Sequence, residues 1–367
     1  MQGEKRMVEA EWPVVASFVV RRRAYLDASG EALAPLPQFA GDPPTLIGLY
    51  RAMVLTRVFD RKAVALQRTG RLGTFAVSLG QEAVPVGTAS AMRDDDVLVP
   101  SYREQGAMLW RGATATEILT YWGGDERGSD FANCRGDFPI CVPVGSHAPH
   151  AAGLAYAFKL RGEDRVAVAM MGDGATSKGD VYEAMNFAGV HALPVVFVIT
   201  NNRWAISVPL RMQSATATLA QKAIAAGLSC EQVDGNDVVA VRAALEEALA
   251  RARAGGGATA IEAETYRLGD HTTADDAGRY RPAEEVQARW KQEPVARLRN
   301  RLVAIGAWTK AEEEALLTDC QRQVDEAAEA YLATGRQPAV SMLDHLHETL
   351  PHALEGQRRE LEERGDG

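Results

Sequence analysis

Two apolar runs of strand length, each followed by a short polar loop, set the tightest limit on what this chain can fold into. Arg165–Met171 reads RVAVAMM and Leu193–Thr200 reads LPVVFVIT. Neither run alternates polar with apolar residues, as a strand with one wet face would. Both predict strands buried on two sides in a parallel sheet. Between them Asp180–His191 (DVYEAMNFAGVH) has helical periodicity, and strand, helix, strand at this spacing is a βαβ unit. Residues 260–267 (AIEAETYR) predict a further strand, preceded by a helix over Val239–Ala254. The expected fold is therefore α/β, with a mainly parallel central sheet flanked by helices.

The rest of the chain is organised around that unit. Residues 1–44 predict an extended N-terminal arm, because Gly30, Pro35, Pro37, Pro43 and Pro44 interrupt any regular element. Residues 45–282 predict the α/β domain, opening with a helix from Thr45 to Gly70. A second helix is expected near Thr114, a loop over residues 125–150, and a small-residue helix at AAGLAYAFKLRG. Residues 283–367 predict a helical region packed on that domain, helical to its end.

Composition narrows the function classes. The chain has 367 residues, 46% of them apolar and 24% charged, so it has ample means to bury a core without a metal or disulfide staple. Its four cysteines form no CxxC pair, which argues against a structural zinc site and a disulfide scaffold. The net charge of −9 argues against general nucleic-acid binding. No apolar run is long enough to span a bilayer, and MQGEKRMVEAEW has no signal-peptide core. The expected setting is cytoplasmic.

In an open parallel sheet, ligands bind beyond the carboxyl ends of the strands. The two loops that matter are then Gly172-Asp173-Gly174-Ala175-Thr176 and Asn201-Asn202-Arg203-Trp204. Glycines in the first allow close approach of the backbone to a phosphate. Asp173 and Asn202, 29 residues apart, are separated by one βαβ turn and so sit at one edge of adjacent strands. A carboxylate, an amide oxygen and a backbone carbonyl are hard ligands that suit magnesium and leave positions for a diphosphate. A lone Gly-Asp-Gly is usually a turn, and Asn-Asn is common in loops; their joint placement after two buried strands is what carries the signal. The loop lacks the third glycine of a dinucleotide fingerprint and the Lys-Ser/Thr of a P-loop.

These two loops, together with SYREQGAML (101–109), VDGNDV (233–238) and TYRLGDHTTADDAGRYRPAEEV (265–286), resemble the alpha subunit of the thiamine-diphosphate-dependent decarboxylating component of 2-oxo acid dehydrogenase complexes. The resemblance runs from about Leu46 to Leu302. It implies a thiamine-diphosphate-binding fold, with magnesium held by the side chains of Asp173 and Asn202 and the carbonyl of Trp204. Trp204 stands where the family usually has Tyr, which a backbone ligand tolerates. It implies that Gly172, Gly174 and Ala175 line the diphosphate, that Tyr102 and Arg103 reach it, and that Val142 and Val144 meet the aminopyrimidine ring through their backbone. His271 matches a catalytic histidine beside the diphosphate and the thiazolium. His147 and His150 are weaker candidates, His150 reading as a packing or capping residue. Asp275, Tyr280 and Arg281 can be read as substrate ligands, but the favoured reading is that they hold the loop that carries His271. Thr272 matches a phosphorylation target of animal relatives, but a hydroxyl alone does not imply regulation.

By the same resemblance, a beta subunit supplies the glutamate that touches the pyrimidine, in a heterotetramer of two alpha and two beta chains. The acyl group passes to a lipoyl group on an acyltransferase core. The preferred reading is a pyruvate-type chain, which TGRLGTF, SLGQEAV and LAQKAIAAG resemble; the second is the branched-chain type, acting on 3-methyl-2-oxobutanoate, supported by NNRWAIS and VDGNDV. An acetoin-cleaving relative and a non-catalytic scaffold are the remaining alternatives. Asp270, Thr200 and Lys178 depart from the family's usual residues, which bears on substrate more than on cofactor. Phe75, Leu79 and Val142 are apolar candidates for the substrate pocket.

Overall fold

The computed structural model describes residues 12–364. The first eleven residues of the expected arm, and with them most of the segment read for a signal peptide, lie outside the described residues. Six parallel strands form the central sheet: β1 (Arg22–Arg23), β2 (Val97–Val99), β3 (Ala167–Gly172), β4 (Val195–Asn201), β7 (Ser229–Asp234) and β8 (Thr259–Glu264). Their order is β1-β7-β8-β4-β3-β2. A two-stranded antiparallel ribbon, β5 (Trp204–Ala205) with β6 (Val208–Pro209), stands just beyond the end of β4.

The period of two along each buried strand divides the core into two layers. Val168, Met170, Val196, Val198, Ile261 and Ala263 point to one face. There they join side chains from the Pro43–Arg68, Val238–Arg253, Pro294–Ala304 and Lys310–Ala333 helices. Ala167, Ala169, Met171, Val195, Phe197, Ile199 and Ala260 point to the other face, against the His147–Arg161 and Gly179–Val190 helices. With both faces covered, neither face of these strands needs a polar residue, and this is why the two runs read as continuous apolar segments.

Several elements escaped the sequence reading: β1, β2, β7 and the Ala83–Ala91 and Gln105–Arg111 helices. The first of these helices packs so close to the Val238–Arg253 helix that a Cβ on Gly87 would lie 2.8 Å from Val241 Cγ1. The C-terminal region is not helical throughout. Four helices (Ala283–Trp290, Pro294–Ala304, Lys310–Ala333 and His352–Arg364) are separated by breaks, the longest over residues 334–351. Gly335, Pro338 and Pro351 lie in that break, where proline removes an amide donor and glycine weakens the helix.

The root of the N-terminal arm is fixed by one carboxylate. Asp237 is fully buried. Its Oδ1 accepts from the amides of Val239 (3.0 Å) and Ala240 (3.2 Å), capping a helix. Its Oδ2 accepts from the amides of Tyr25 (2.7 Å) and Leu26 (2.8 Å). Burial pushes its pKa up, and these donors oppose the shift. Asp237→Ala is expected to lower stability by about 2–4 kcal/mol, the sum of a lost cap and orphaned buried amides. Thermal unfolding measures the loss, and tryptic cleavage at Arg21–Arg23 should become faster than in the parent chain.

Candidate active site

β3 and β4 pair in parallel register with Gly172 opposite Thr200, so the chain leaves both strands at one edge. After β3 it turns at once into a short 3-10 helix, Asp173–Ser177. Asp173 is 2% exposed, and its Oδ2 is buried with no hydrogen-bond partner. Burial raises its pKa to about 6, against the pull of the Asp173 and Gly174 amides and of Arg267 and Arg103. After β4 the turn is held from behind by Glu262, itself fully buried on β8. Glu262 Oε1 accepts from Asn201 Nδ2 (2.7 Å), and Asn201 Oδ1 accepts from the amide of Arg203 (3.2 Å). Arg203 (φ 72°) and Ile206 (φ 55°) take left-handed conformations that bend the chain back over the strand ends. Asn202 Oδ1 accepts from the Trp204 amide at 3.2 Å, and Asn202 Nδ2 donates to Gln81 Oε1 at 2.9 Å. The two turns touch: a Cβ on Gly174 would lie 3.0 Å from Ala205 Cβ.

His271 reaches the same place from the loop after β8. Its Nδ1 lies 3.2 Å from Arg103 Nη2 and 3.3 Å from Arg267 Nη1. Arginine only donates, so Nδ1 is an acceptor and the neutral ring carries its proton on Nε2. Burial, then Arg103, then Arg267 bring the His271 pKa down to about 4. Arg267 is fully buried and also donates to the Trp204 carbonyl (3.3 Å), the Ile206 carbonyl (2.8 Å) and Tyr280 Oη (2.8 Å). Asp275 Oδ2 accepts from the His271 amide (2.8 Å) and from Tyr280 Oη. Arg281 donates to the carbonyls of Arg267, Leu268 and Gly269. Asp275, Tyr280 and Arg281 thus all brace the loop rather than face the cavity.

One cavity of about 220 Å³ is lined by Tyr102, Arg103, Val144, Gly172, Asp173, Gly174, Ala175, Asn202, Trp204 and His271. Val142 is not on its wall and is 48% exposed. The apolar substrate-pocket candidates are not there either: Phe75 is buried in the core against Phe59 and Trp122, and Leu79 lines a separate cavity behind the His271 loop. His147 is on the wall, but its Nε2 is bonded to the Met170 carbonyl at 2.8 Å. His150 stacks on Phe138 instead.

Sequence reasoning missed Gln81, Glu104 and Arg267. Gln81 and Glu104 line the cavity, and Arg267 stands behind it. Glu104 is a buried carboxylate on the wall, but its Oε2 accepts from Ser101 Oγ and from the Arg103 amide, both at 2.9 Å, and so fixes the Tyr102–Arg103 turn. Residue type alone does not mark these three: Gln81 is defined by a partner 121 residues away, and Glu104 and Arg267 by burial. Among the described residues no cluster of three or more His, Cys, Asp and Glu converges, so any cation here depends on a mixed set with one carboxylate.

Residues 50–339 match the family described as the dehydrogenase E1 component. The chain belongs to this family. It is 43% identical over 318 residues to the 3-methyl-2-oxobutanoate dehydrogenase subunit alpha of Mycobacterium tuberculosis H37Rv, covering 86% of each chain. It is 38% identical over 336 residues to the pyruvate dehydrogenase E1 component subunit alpha of Bacillus subtilis 168, covering 90% of each. The corresponding pyruvate dehydrogenase chain of Acholeplasma laidlawii is 40% identical over 318 residues, 86% of this chain and 92% of that one. The protein is an E1 alpha chain of a 2-oxo acid dehydrogenase, in a family that uses thiamine diphosphate.

The residues present in this E1 alpha chain fit the cofactor. An orphaned buried carboxylate oxygen beside an amide oxygen and a carbonyl is costly unless a cation completes it. Arg103 adds a buried positive charge on the cavity wall, its Nη atoms tied to the Val77 carbonyl and to His271. The His271 shift makes a pH prediction. Its pKa lies below that of the unfolded chain, so its contribution to stability is present above pH 6.5 and is lost as pH falls toward 4. His271→Asn is expected to flatten the decline in unfolding free energy across that window, as denaturant titrations at stepped pH would record.

Proposed function

We propose that this E1 alpha chain carries the metal and diphosphate half of a thiamine-diphosphate site and works in the cytoplasm in the oxidative decarboxylation of pyruvate. The observation that carries the reading is the convergence of Asp173 Oδ2, unpaired and buried, with Asn202, Trp204, Arg103 and His271 around one cavity. In this reading Asp173, Asn202 and the Trp204 carbonyl hold magnesium. Gly172, Gly174, Ala175, Tyr102 and Arg103 hold the diphosphate, and the backbone of Val142 and Val144 meets the pyrimidine.

When bound, thiamine diphosphate supplies the nucleophilic carbon and the electron sink for decarboxylation. The chain's own residues do the rest. Arg103 neutralises diphosphate charge from a buried position, where a fixed cation acts most strongly. His271, neutral at pH 7 and held at Nδ1 by two arginines, keeps Nε2–H as a donor for negative charge that develops beside it. Arg267 ties that ring to the carbonyl of Trp204, so the catalytic and metal-binding groups are positioned together.

A beta subunit completes the site and supplies the glutamate for the pyrimidine. The apolar side chains of Val142, Val144, Ile206, Val208 and Met212, 41–74% exposed, support a partner at this face. The acceptor of the acyl group is a lipoyl group on an acyltransferase core. The second reading is the branched-chain substrate, 3-methyl-2-oxobutanoate, favoured by the higher identity to the mycobacterial chain (43%) than to the two pyruvate chains above (38% and 40%). An apolar pocket separates substrates by only about 1–3 kcal/mol per methylene, so activity on both acids is expected at unequal rates.

The test is carbon dioxide release from each acid by the chain with and without its copurifying partner, given magnesium and thiamine diphosphate. Release only with the partner supports the half-site; release by the chain alone overturns it. Asp173→Asn is expected to weaken magnesium-dependent thiamine diphosphate binding by more than about 100-fold, beyond the loss typical of outer-shell residues. Calorimetry would show this, while unchanged circular dichroism confirms the fold.

A further inference from the structure

Asn202 can serve as a metal ligand only through its oxygen. An amide side chain has two orientations related by a half turn, and only one presents Oδ1 to a cation. In the structure Oδ1 accepts from the Trp204 amide, which can only donate, and Nδ2 therefore faces the other way. What it faces is Gln81 Oε1, at 2.9 Å. Gln81 is 1% exposed, and its own Nε2 is buried without a partner. The Gln81 side chain thus meets Asn202 as an acceptor alone.

The backbone that carries Gln81 is rigid for stated reasons. Its amide donates to the Ser78 carbonyl at 2.8 Å. Gly80 before it takes φ +86°, and a Cβ there would lie 2.7 Å from Leu268 Cγ and 2.8 Å from the Tyr266 carbonyl oxygen. Thr265 Oγ1 donates to the Gly80 carbonyl at 2.9 Å, clamping this turn to the end of β8. An acceptor is therefore delivered to Asn202 from a part of the chain 121 residues earlier.

We propose that Gln81 is a positioning residue that holds the Asn202 amide with its oxygen toward the cation. The inference rests on the reading of this cavity as a magnesium–diphosphate site. Gln81 does this by accepting a hydrogen bond, and its unpaired Nε2 plays no part. Glutamate can therefore replace it and leucine cannot. Losing an outer-shell partner of a metal ligand typically weakens metal binding by about 10- to 100-fold.

The experiment titrates Mn²⁺ into the assembled alpha–beta complex in the presence of inorganic pyrophosphate, followed by electron paramagnetic resonance. Gln81→Leu should bind Mn²⁺ about 10-fold or more weakly, and Gln81→Glu should bind within about threefold of the parent or more tightly. In an Asn202→Asp background, where both oxygens are equivalent ligands, Gln81→Leu should cost less than about threefold. Parent-like binding by Gln81→Leu overturns the proposal. So does Gln81→Glu binding as weakly as Gln81→Leu, or an equal cost in both backgrounds. A parent complex that binds no Mn²⁺ with pyrophosphate would instead refute the reading of the site itself.

Discussion

The parallel register of β3, β4 and β8 is the constraint from which the site follows. Gly172 lies opposite Thr200, and Thr200 opposite Ala263, so three strands end at one level. Each then releases a polar turn into the same small volume: Asp173 from the first, Asn202 and Trp204 from the second, Arg267 and His271 from the third. Apolar layers on both faces fix the strands so tightly that the turns inherit their positions. A parallel arrangement matters here because it places three carboxyl ends side by side, where an antiparallel one would alternate them.

The cost of this arrangement is a concentration of polar groups away from water. Most are satisfied within the chain. Glu262 takes the Asn201 amide from behind the turn, and also the Ala220 amide at 3.1 Å. Arg267 donates to two carbonyls, the His271 ring and Tyr280. On the cavity wall itself Asp173 Oδ2, Gln81 Nε2 and His147 Nδ1 are buried without partners. A bare carboxylate oxygen on the same cavity wall as Asn202 and Trp204 holds desolvation cost where a cation can recover it.

The sheet was legible because its signal is local. An unbroken apolar run bounded by a Gly-rich or Asn-rich loop has few other outcomes, and β3, β4 and β8 fall within three residues of their expected spans. β7 carries no such run: SCEQVD is only half buried along most of its length, beside a two-residue edge strand, so no apolar pattern marked it. Tyr102, Arg103, Asp173, Asn202 and His271 could be nominated because each lies in a motif with a recognisable order. Gln81, Glu104 and Arg267 could not be assigned roles: Gln81 meets Asn202 only after folding, and the roles of Glu104 and Arg267 come from burial and side-chain orientation that residue type does not give. Phe75 failed as a pocket residue for the converse reason: apolarity does not say whether a side chain faces a ligand or the core.

By itself the sequence determined the α/β class, the pairing of a carboxylate loop with an amide loop one βαβ unit apart, and the family to which such a pair belongs. These depend on residue type and spacing along the chain, which backbone geometry converts directly into a strand edge. Tertiary structure decided which oxygen of Asp173 is left bare, which way Asn202 turns its amide, which nitrogen of His271 keeps its proton and why that ring stays neutral. Those are properties of orientation and dielectric surroundings, and they arise only when β8, the Ser78–Gln81 turn and the Arg103 turn are brought within hydrogen-bonding distance of one another by the packed core.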